Sequence, residues 1–286
     1  MNAAETLQAT PTAKSAKSEI GFGPHVLTLE DWARAYITTC NLSDKIAPPP
    51  RSRVHAESAT QERIAAPGRP TELRVTARAK KAKTRGALAH AERRAELVHR
   101  FWHHELQAAE LMAWAVLAFA GAPLAFKRGL MNILDDEVRH MAMYAEYLRS
   151  TGFAIGDFPV RDWFWARVPN CASAASYCAV MGVGLEGANI DHTARFAAEF
   201  RSMGDELGAQ LQDKIGAEEV PHVAFALHWL KVFTGASDFD DWRSYLPPPW
   251  SPMLMKGKTL ERAPRLRAGY TEHFLTELEA WPTSGF

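Results

Sequence analysis

Two Glu-x-x-His patterns bring acidic and imidazole side chains together at helical spacing. The first pairs Glu137 with His140, and the second pairs Glu219 with His222. Residues three apart lie on one face of a helix, so each pair directs a carboxylate and an imidazole towards one point. Iron and manganese are bound by these two ligand types in proteins. The spacing therefore predicts two metal-binding helices.

Each pattern follows another carboxylate at almost the same distance. Glu105 lies 32 residues before Glu137, and Glu186 lies 33 residues before Glu219. In a four-helix bundle, two helices with Glu-x-x-His and two with a single Glu build a carboxylate-bridged two-metal site. Buried carboxylates without partners are costly. Four of them at one level are therefore typical of a site built around cations.

The predicted turns place these four segments at one depth. Residues on two antiparallel helices lie level when they are equidistant from the turn. The midpoint between Glu105 and the first pattern falls on Gly121-Ala-Pro123, and the midpoint between Glu186 and the second falls on Ser202-Met-Gly204. Glycine and proline mark both turns independently of the acidic residues. The ligands of all four segments can therefore meet.

A third Glu-x-x-His, formed by Glu96 and His99, serves as an internal comparison. Composition alone predicts roughly one such pattern by chance, so a single copy carries little information. The carboxylate that would match it upstream is Glu62, which lies across a linker rich in proline and glycine. We interpret this copy as a chance occurrence on a solvated or packed helix face.

Two further acids leave the choice of ligands open. Glu110 and Asp191 stand five residues after Glu105 and Glu186. Five residues turn a helix through about 140°, so both members of a pair cannot face the metal equally. The turn midpoints favour Glu105 and Glu186 as ligands. Glu110 and Asp191 are then predicted to support the ligands from behind, or to be structural acids.

The elements that must position these residues follow from hydrophobic periodicity and from Gly and Pro stops. We predict disorder over 1–24, an N-terminal helix and extended basic linker over 25–85, a four-helix bundle over 86–236, and a Pro-rich loop with a C-terminal helix packing on the bundle over 237–286. The bundle helices are predicted at 86–120, 123–150, 171–202 and 205–233, and the terminal helices at 28–37 and 259–281. No segment alternates like a strand, so the predicted fold class is all-α.

Composition sets the remaining limits. The 286 residues are 47% hydrophobic, which suffices for one large core. The chain has 33 basic and 33 acidic residues, so net charge favours neither nucleic acid nor membrane. Three cysteines without a Cys-x-x-Cys pair argue against a disulfide framework. Without an apolar signal-peptide core or a membrane-length apolar run, a cytoplasmic protein is expected.

Five strings extend the pattern over about residues 28–280. They are His103-His-Glu-Leu-Gln-Ala-Ala-Glu-Leu-Met112, Asp136-Glu-Val-Arg-His140, Gly152-Phe with Gly156-Asp-Phe-Pro159, Gly184-Leu-Glu-Gly-Ala-Asn-Ile-Asp191, and Glu218-Glu-Val-Pro-His-Val223. Together they resemble the DUF455 family of ferritin-like proteins. The wider superfamily includes ferritins, rubrerythrins, ribonucleotide reductase small subunits and the diiron tRNA hydroxylase MiaE.

The resemblance implies a ferritin-like bundle around a carboxylate-bridged dimetal centre. The implied ligands are Glu105, Glu137, His140, Glu186, Glu219 and His222. Glu137 and Glu219 are the implied bridges. Asp136 and Glu218, each preceding a bridging Glu, are implied to hold the opposite ligand histidine and set its tautomer.

The second motif departs from the first at Pro221. A proline in mid-helix removes one hydrogen bond and clashes with the carbonyl four residues back, here Ala217. A kink or a π-bulge is therefore predicted there, and such bulges often mark functional sites. The two halves of the centre should then differ, with an open coordination position expected on the His222 side.

Three functions compete on this basis. The first is an O2-activating oxidoreductase, an oxygenase or oxidase in which two Fe ions, with Mn or mixed Fe/Mn as alternatives, act on a small metabolite such as an amine or an amino-acid derivative. The second is a tRNA-modifying diiron hydroxylase, indicated by the basic stretch 74–94 and disfavoured by the neutral net charge. The third is iron binding or storage, disfavoured because the terminal additions would hinder cage assembly.

The expected partners follow from the first function. They are a small-molecule substrate and an external electron donor, without nucleic acid or membrane, and a homodimer is left open. Apolar residues near the ligands fit a dry substrate pocket and fit core packing equally well: Leu106, Met112, Met141, Met181 and Val183. No catalytic residue beyond the metal site is predicted.

Overall fold

The computed structural model describes residues 22–56, 60–77 and 87–282. The disorder predicted over 1–24 falls almost wholly outside these ranges. The central part of the basic stretch, 78–86, also lies outside them. The N-terminal extension is therefore described up to residue 77, and the description resumes just before the first long helix.

The described residues confirm the all-α class. The helices are α1 Leu29–Thr38, α2 Leu42–Ile46, α3 Ala91–Ala118, α4 Leu124–Ser150, α5 Ala174–Tyr177, a π-helical segment Cys178–Glu186, α6 Gly187–Ser202, α7 Glu206–Thr234, α8 Phe239–Ser244, α9 Arg262–Ala268 and α10 Glu272–Ala280. An isolated parallel bridge between Val75 and Val160 is the β-type pairing found in the described ranges. None of the described helices combines the length and apolar character needed to cross a membrane.

Two helical hairpins carry the predicted ligands. α3 packs along α4, and the π segment with α6 packs along α7. Gly204, with a φ of +76°, allows the turn between α6 and α7. α4 also packs against α7 and so joins the two hairpins. The four long segments therefore surround a common interior.

The core of this interior is divided along its length. One apolar cluster contains the second half of α3, the first half of α4 and the second half of α7. The other contains the first half of α3, the second half of α4 and the first half of α7. The predicted ligand positions fall between the two clusters on each of these helices. A polar layer is thus enclosed by dry packing on both sides.

The terminal extensions pack on the outside of the hairpins. α1 begins at Thr28, whose hydroxyl accepts from the Asp31 amide while the Asp31 carboxylate accepts from the Thr28 amide, both at 3.1 Å. This capping box holds α1 at its start, and α1 packs against α3. At the other end, α9 packs on α7 and α10 packs on α8.

Several element boundaries differ from the predictions. α2 and α8 lie inside segments predicted to be extended or loop, although Asn41 and Asp238 cap them in the usual way. The single helix predicted at 259–281 is two helices. Gly269 adopts a left-handed φ of +107°, which ends α9 before α10 begins.

The π-bulge predicted at Pro221 is wrong. α7 is assigned as one α-helix from Glu206 to Thr234 through Pro221, and the π conformation lies in Cys178–Glu186 of the other hairpin. Close packing accompanies it there, because a Cβ on Gly182 would lie 2.1 Å from the Ala226 Cβ. A tertiary contact of this kind leaves no local sequence signal of the sort that a proline gives.

Candidate metal centre

The six predicted ligands converge in the polar layer between the two apolar clusters. They form two groups, within each of which one ligand atom per residue lies within 4.8 Å of the others: Glu105 with Glu137 and His140, and Glu137 with Glu186, Glu219 and His222. Glu137 belongs to both groups and is therefore placed to bridge two ions. Glu219 belongs to the second group only, so its bridging role stays a prediction.

The histidines direct the same ring nitrogen into the centre. His140 Nδ1 lies 3.6 Å from Glu105 Oε2 and 3.5 Å from Glu137 Oε2. His222 Nδ1 lies 3.3 Å from Glu137 Oε1 and 3.1 Å from Glu219 Oε2. Each imidazole therefore presents Nδ1 to the carboxylates and turns Nε2 away from them.

The outward nitrogens bond to acids of the opposite hairpin. His140 Nε2 lies 2.9 Å from Glu218 Oε2, and His222 Nε2 lies 3.1 Å from Asp136 Oδ2. Arg139 donates to both acids, at 2.5 Å to Asp136 and 2.9 Å to Glu218. When each Nε2 donates its proton to a carboxylate, Nδ1 keeps its lone pair for a metal. The structure thus brings Asp136 and Glu218 to the histidines that the resemblance implied.

The layer contains buried polar atoms that have no hydrogen-bond partner among the described residues. Both carboxylate oxygens of Glu137, Oε1 of Glu186 and Nδ1 of His140 are buried without a hydrogen-bond partner. Buried polar groups are nearly always satisfied, because leaving them unpaired is costly. These atoms belong to two groups that share Glu137. An oxygen- and imidazole-rich donor set of this kind fits a pair of iron or manganese ions.

The pKa values of the carboxyl groups in this layer reflect their burial and their closeness to one another. Burial raises the pKa of Glu105 well above its usual range, and Glu137 raises it further. Burial likewise raises the pKa of Glu186, with Glu219 and Glu137 adding to it. Burial raises the pKa of Glu137, but the close approach of Glu105, His140 and His222 outweighs it and holds this pKa well below the usual range. Opposed shifts of this kind are typical of buried acids that lie close together.

Glycines let the C-terminal elements press against the helix that carries Glu186. A Cβ on Gly184 would lie 2.4 Å from Met255 Sδ, and one on Gly187 would lie 2.3 Å from the Tyr270 hydroxyl.

Sequence reasoning missed one neighbour of the predicted ligands, Asn189. Its side-chain amide donates to Glu219 Oε1 at 2.8 Å. Its position three residues after Glu186 puts it on the ligand face, which is the signal that could have found it.

Glu110 and Asp191 do not contact the six predicted ligands, so of their two predicted roles the supporting one is wrong and the structural one agrees with their contacts. Glu110 accepts from Lys45 at 2.7 Å, Arg69 at 2.6 Å and the Trp165 indole at 2.7 Å. Asp191 accepts from Arg265 and from the amide of Gly257, both at 2.8 Å, and from the amide of Glu261 at 2.8 Å. The rotation of about 140° away from the ligands turns both acids towards the terminal extensions.

The third Glu-x-x-His lies outside the centre, as predicted for a chance copy. Glu96 pairs with Arg93 at 2.6 Å near the helix surface. His99 is buried and its Nε2 accepts from the amide of Gly156 at 2.8 Å. This copy is therefore a packed helix face.

A cavity of about 460 Å³ reaches the centre beside Glu105 and Glu186. Neither His140 nor His222 is among the described residues that line it, so it reaches the centre on the side of the single glutamates. The open coordination position expected on the His222 side stays a prediction. Of the apolar residues considered for a dry pocket, Met181 lines it. The other four lie in the two core clusters: Leu106, Met112, Met141 and Val183.

Comparison with known proteins gives a family but no activity. The model of a protein family of unknown function, DUF455, matches residues 30–276. A protein of Haemophilus influenzae described as uncharacterized is 24% identical over 191 residues, which cover 63% of this chain. The chain spans 66% of the length of that relative. No solved structure matches.

Proposed function

This chain belongs to the DUF455 family, and from that premise we propose that it is a dimetal, O2-activating oxidoreductase with a ferritin-like four-helix bundle. The bundle would consist of α3, α4, the π segment with α6, and α7. The centre would take two iron ions, with manganese as the alternative for one or both. The reaction would be oxygenation or oxidation of a small metabolite.

One observation carries this proposal. Buried, unpartnered ligand atoms of Glu137, Glu186 and His140 lie in two donor groups that share one carboxylate. A purely structural polar layer would satisfy its own hydrogen bonds, as Glu110 and Asp191 do. A shared carboxylate between two donor groups is typical of dimetal carboxylate proteins.

The residues divide between two metal positions. Glu105 and His140 would hold one ion, and Glu186, Glu219 and His222 the other, with Glu137 between them. Bound ferrous ions supply the electrons with which such centres reduce O2.

The surrounding residues prepare this site. Asp136 and Glu218 fix the histidine tautomers, and Arg139 holds both acids in place. The apolar clusters on either side exclude water from the layer, and the cavity beside Glu105 and Glu186 gives a substrate access to it.

The tRNA hydroxylase is the second candidate, and one observation favours it. Thr76, which lies within the basic stretch 74–94, lines the cavity. A polynucleotide bound by the described residues next to Thr76 would lie near the cavity. Filter binding of bulk tRNA tests this candidate, since binding that falls steeply with salt would favour it over a small metabolite.

Metal analysis and O2 uptake test the proposal. Protein reconstituted with Fe²⁺ under anaerobic conditions should hold about two ions per chain and should consume O2 when it is admitted. Glu137→Gln should lose stoichiometric metal and O2 uptake, because its carboxylate serves both groups. Glu146→Gln, which changes an exposed acid of α4 that pairs with Arg149, is the matched control and should retain both. Absence of stoichiometric metal in the unaltered protein, or full retention in Glu137→Gln, would contradict the proposal.

A further inference from the structure

We propose that the cavity beside the centre binds small carboxylic acids with an apolar body, and that Arg100 and Arg161 hold the carboxylate. The inference rests on the proposed function, since such an acid would be the substrate of the same centre. It narrows the substrate from any small metabolite to an organic anion.

The cavity is graded from a buried floor to an open mouth. Its floor includes buried residues next to the ligands: Ala108, Tyr144, Met181 and Gln212. Its walls are aromatic: Phe101, Trp163, Phe164 and Phe196. Phe101 and Phe196 pack with ring centroids 4.8 Å apart, and Phe164 packs 5.0 Å from the His104 ring. Such walls fit an apolar or aromatic body.

Two arginines at the cavity mouth have positive charges that no acidic side chain among the described residues pairs with. Arg100 and Arg161 line the cavity, and neither forms an ion pair or a side-chain hydrogen bond with another described residue. Glu96 also lines the cavity, but Arg93 neutralises it at 2.6 Å. The four carboxylates of the centre would be balanced by two divalent ions. The remaining charge therefore favours an anionic ligand group at the mouth.

The nearby Arg195 gives a comparison, because its guanidinium group is used in contacts within the protein. It is partly exposed, pairs with Glu199 at 2.9 Å and stacks over Phe196 at 4.0 Å. Arg100 lies on α3 and Arg161 lies between α4 and α5, and yet both line the cavity without a side-chain partner among the described residues. Two guanidinium groups from separate segments can hold one carboxylate from two sides.

Helix geometry sets a length for the ligand. Arg100 and Glu105 both lie on α3 and both line the cavity, and five residues span about 7.5 Å along a helix axis. The carboxylate is thus held several bonds away from the carbon that would face the centre. His192 also lines the cavity, and its Nδ1 is buried without a hydrogen-bond partner among the described residues. It offers a hydrogen bond to a polar substituent on the ligand.

Calorimetric titration with 4-phenylbutyrate and its amide tests the inference. The two probes share the apolar body and differ in charge. The acid should bind about tenfold or more tightly than the amide, as expected for charge-assisted hydrogen bonds. Arg100→Gln and Arg161→Gln should each weaken binding of the acid about tenfold and leave binding of the amide unchanged. Arg267→Gln is the matched control, because Arg267 is exposed, does not line the cavity and has no side-chain partner among the described residues.

The two proposals fail separately. Binding is measured on the metal-free protein and on Glu137→Gln as well as on the iron-loaded protein, so it does not depend on O2 chemistry. Equal affinity for acid and amide, or acid binding that neither arginine variant weakens, would overturn the inference even if iron and O2 uptake are as proposed. If the protein binds the acid more tightly than the amide but neither holds iron nor consumes O2, the carboxylate site is supported and only the oxidoreductase proposal is contradicted. Thermal melts of each variant exclude misfolding as the cause of lost binding.

Discussion

Buried carboxylates occur in two settings in this molecule. Glu110 and Asp191 are at most 2% exposed and face cationic side chains of the chain itself. The four acids of the centre are at most 6% exposed and face one another and two imidazoles: Glu105, Glu137, Glu186 and Glu219. The positive charges of Arg69 and Lys45 outweigh burial and hold the pKa of Glu110 below its usual value, whereas burial raises that of Glu105. With the same burial, one set faces lysine or arginine, whereas the other faces two imidazoles. Burial lowers the pKa of His140, but the neighbouring carboxylates outweigh this effect and raise that pKa to about 12.

The source of the counter-charges explains the difference. Lys45 and Arg69 come from the N-terminal extension, and Arg265 comes from the C-terminal one. The two anchored acids occupy equivalent positions, five residues after Glu105 and Glu186. Each extension is thus attached to one hairpin by a buried ion pair. Within the described residues, lysine or arginine pairs with each carboxylate that anchors an extension, and none pairs with the four acids of the centre.

The largest expected effect comes from removing a counter-charge. Arg265→Met leaves Asp191 buried without its cation, and breaking a buried pair in this way costs about 3–5 kcal/mol. Urea unfolding of the metal-loaded protein measures the loss. The double variant Arg265→Met with Asp191→Asn should recover most of it, because no unpaired charge remains. A single variant as stable as the unaltered protein would remove the distinction between the two settings.

Local patterns predicted the ligand layer, and long-range contacts decided the rest. Spacing within α4 and α7 and the levels of the turns pointed to the six ligands, because these signals need only helix geometry. The structural role of Glu110 could not be separated from a supporting one because its partner Lys45 lies 65 residues away, and that of Asp191 because Arg265 lies 74 residues away. The sequence identifies an acidic residue, but it does not show which basic residue will lie beside it in the fold.

The same limit explains the other errors. The π segment depends on how Gly182 and Gly184 meet Ala226 and Met255, which no local pattern reports. The cavity depends on how residues 153–169, between α4 and α5, lie over α3, and no local pattern reports that contact. Helix existence and the residues that converge in the polar layer could be predicted from sequence, whereas packing partners and the position of the cavity could not.

A smaller effect is expected where the acid holds a ligand rather than an extension. Asp136→Asn should weaken metal affinity about 10- to 100-fold. The reason is that a carboxylate bonded to the outer nitrogen of a ligand histidine orients and polarises its imidazole ring. Competition with a chelator of known affinity measures this change. Asp135→Asn is the matched control, since the neighbouring Asp135 is half-exposed and pairs with Arg51 at the surface. Equal losses in both variants would show that charge near the centre matters and the bond to His222 does not.

Neutralising one acid from each setting should change stability in opposite directions. In the metal-free protein, Glu186→Gln should raise the free energy of unfolding by about 0.5–2 kcal/mol, as is common where a functional site is destabilised. Glu110→Gln should lower it, because Lys45 and Arg69 lose their buried partner. Chemical unfolding after chelation measures both. Destabilisation by both variants would show that the ligand layer is already satisfied without metal.

The smallest effect is the pH dependence of that difference. Glu186 has a folded pKa raised above the ordinary 4.5, so its contribution to stability is fully present below about pH 4.5 and is lost as pH rises through the folded value. The advantage of metal-free Glu186→Gln over the unaltered protein should therefore grow between pH 4.5 and 8, by about 2–4 °C in Tm for each kcal/mol. Thermal melts across this range, with and without Fe²⁺, measure it. Bound metal should reverse the sign, since the amide is the poorer ligand, and an advantage that shrinks with rising pH would show that Glu186 ionises there without cost.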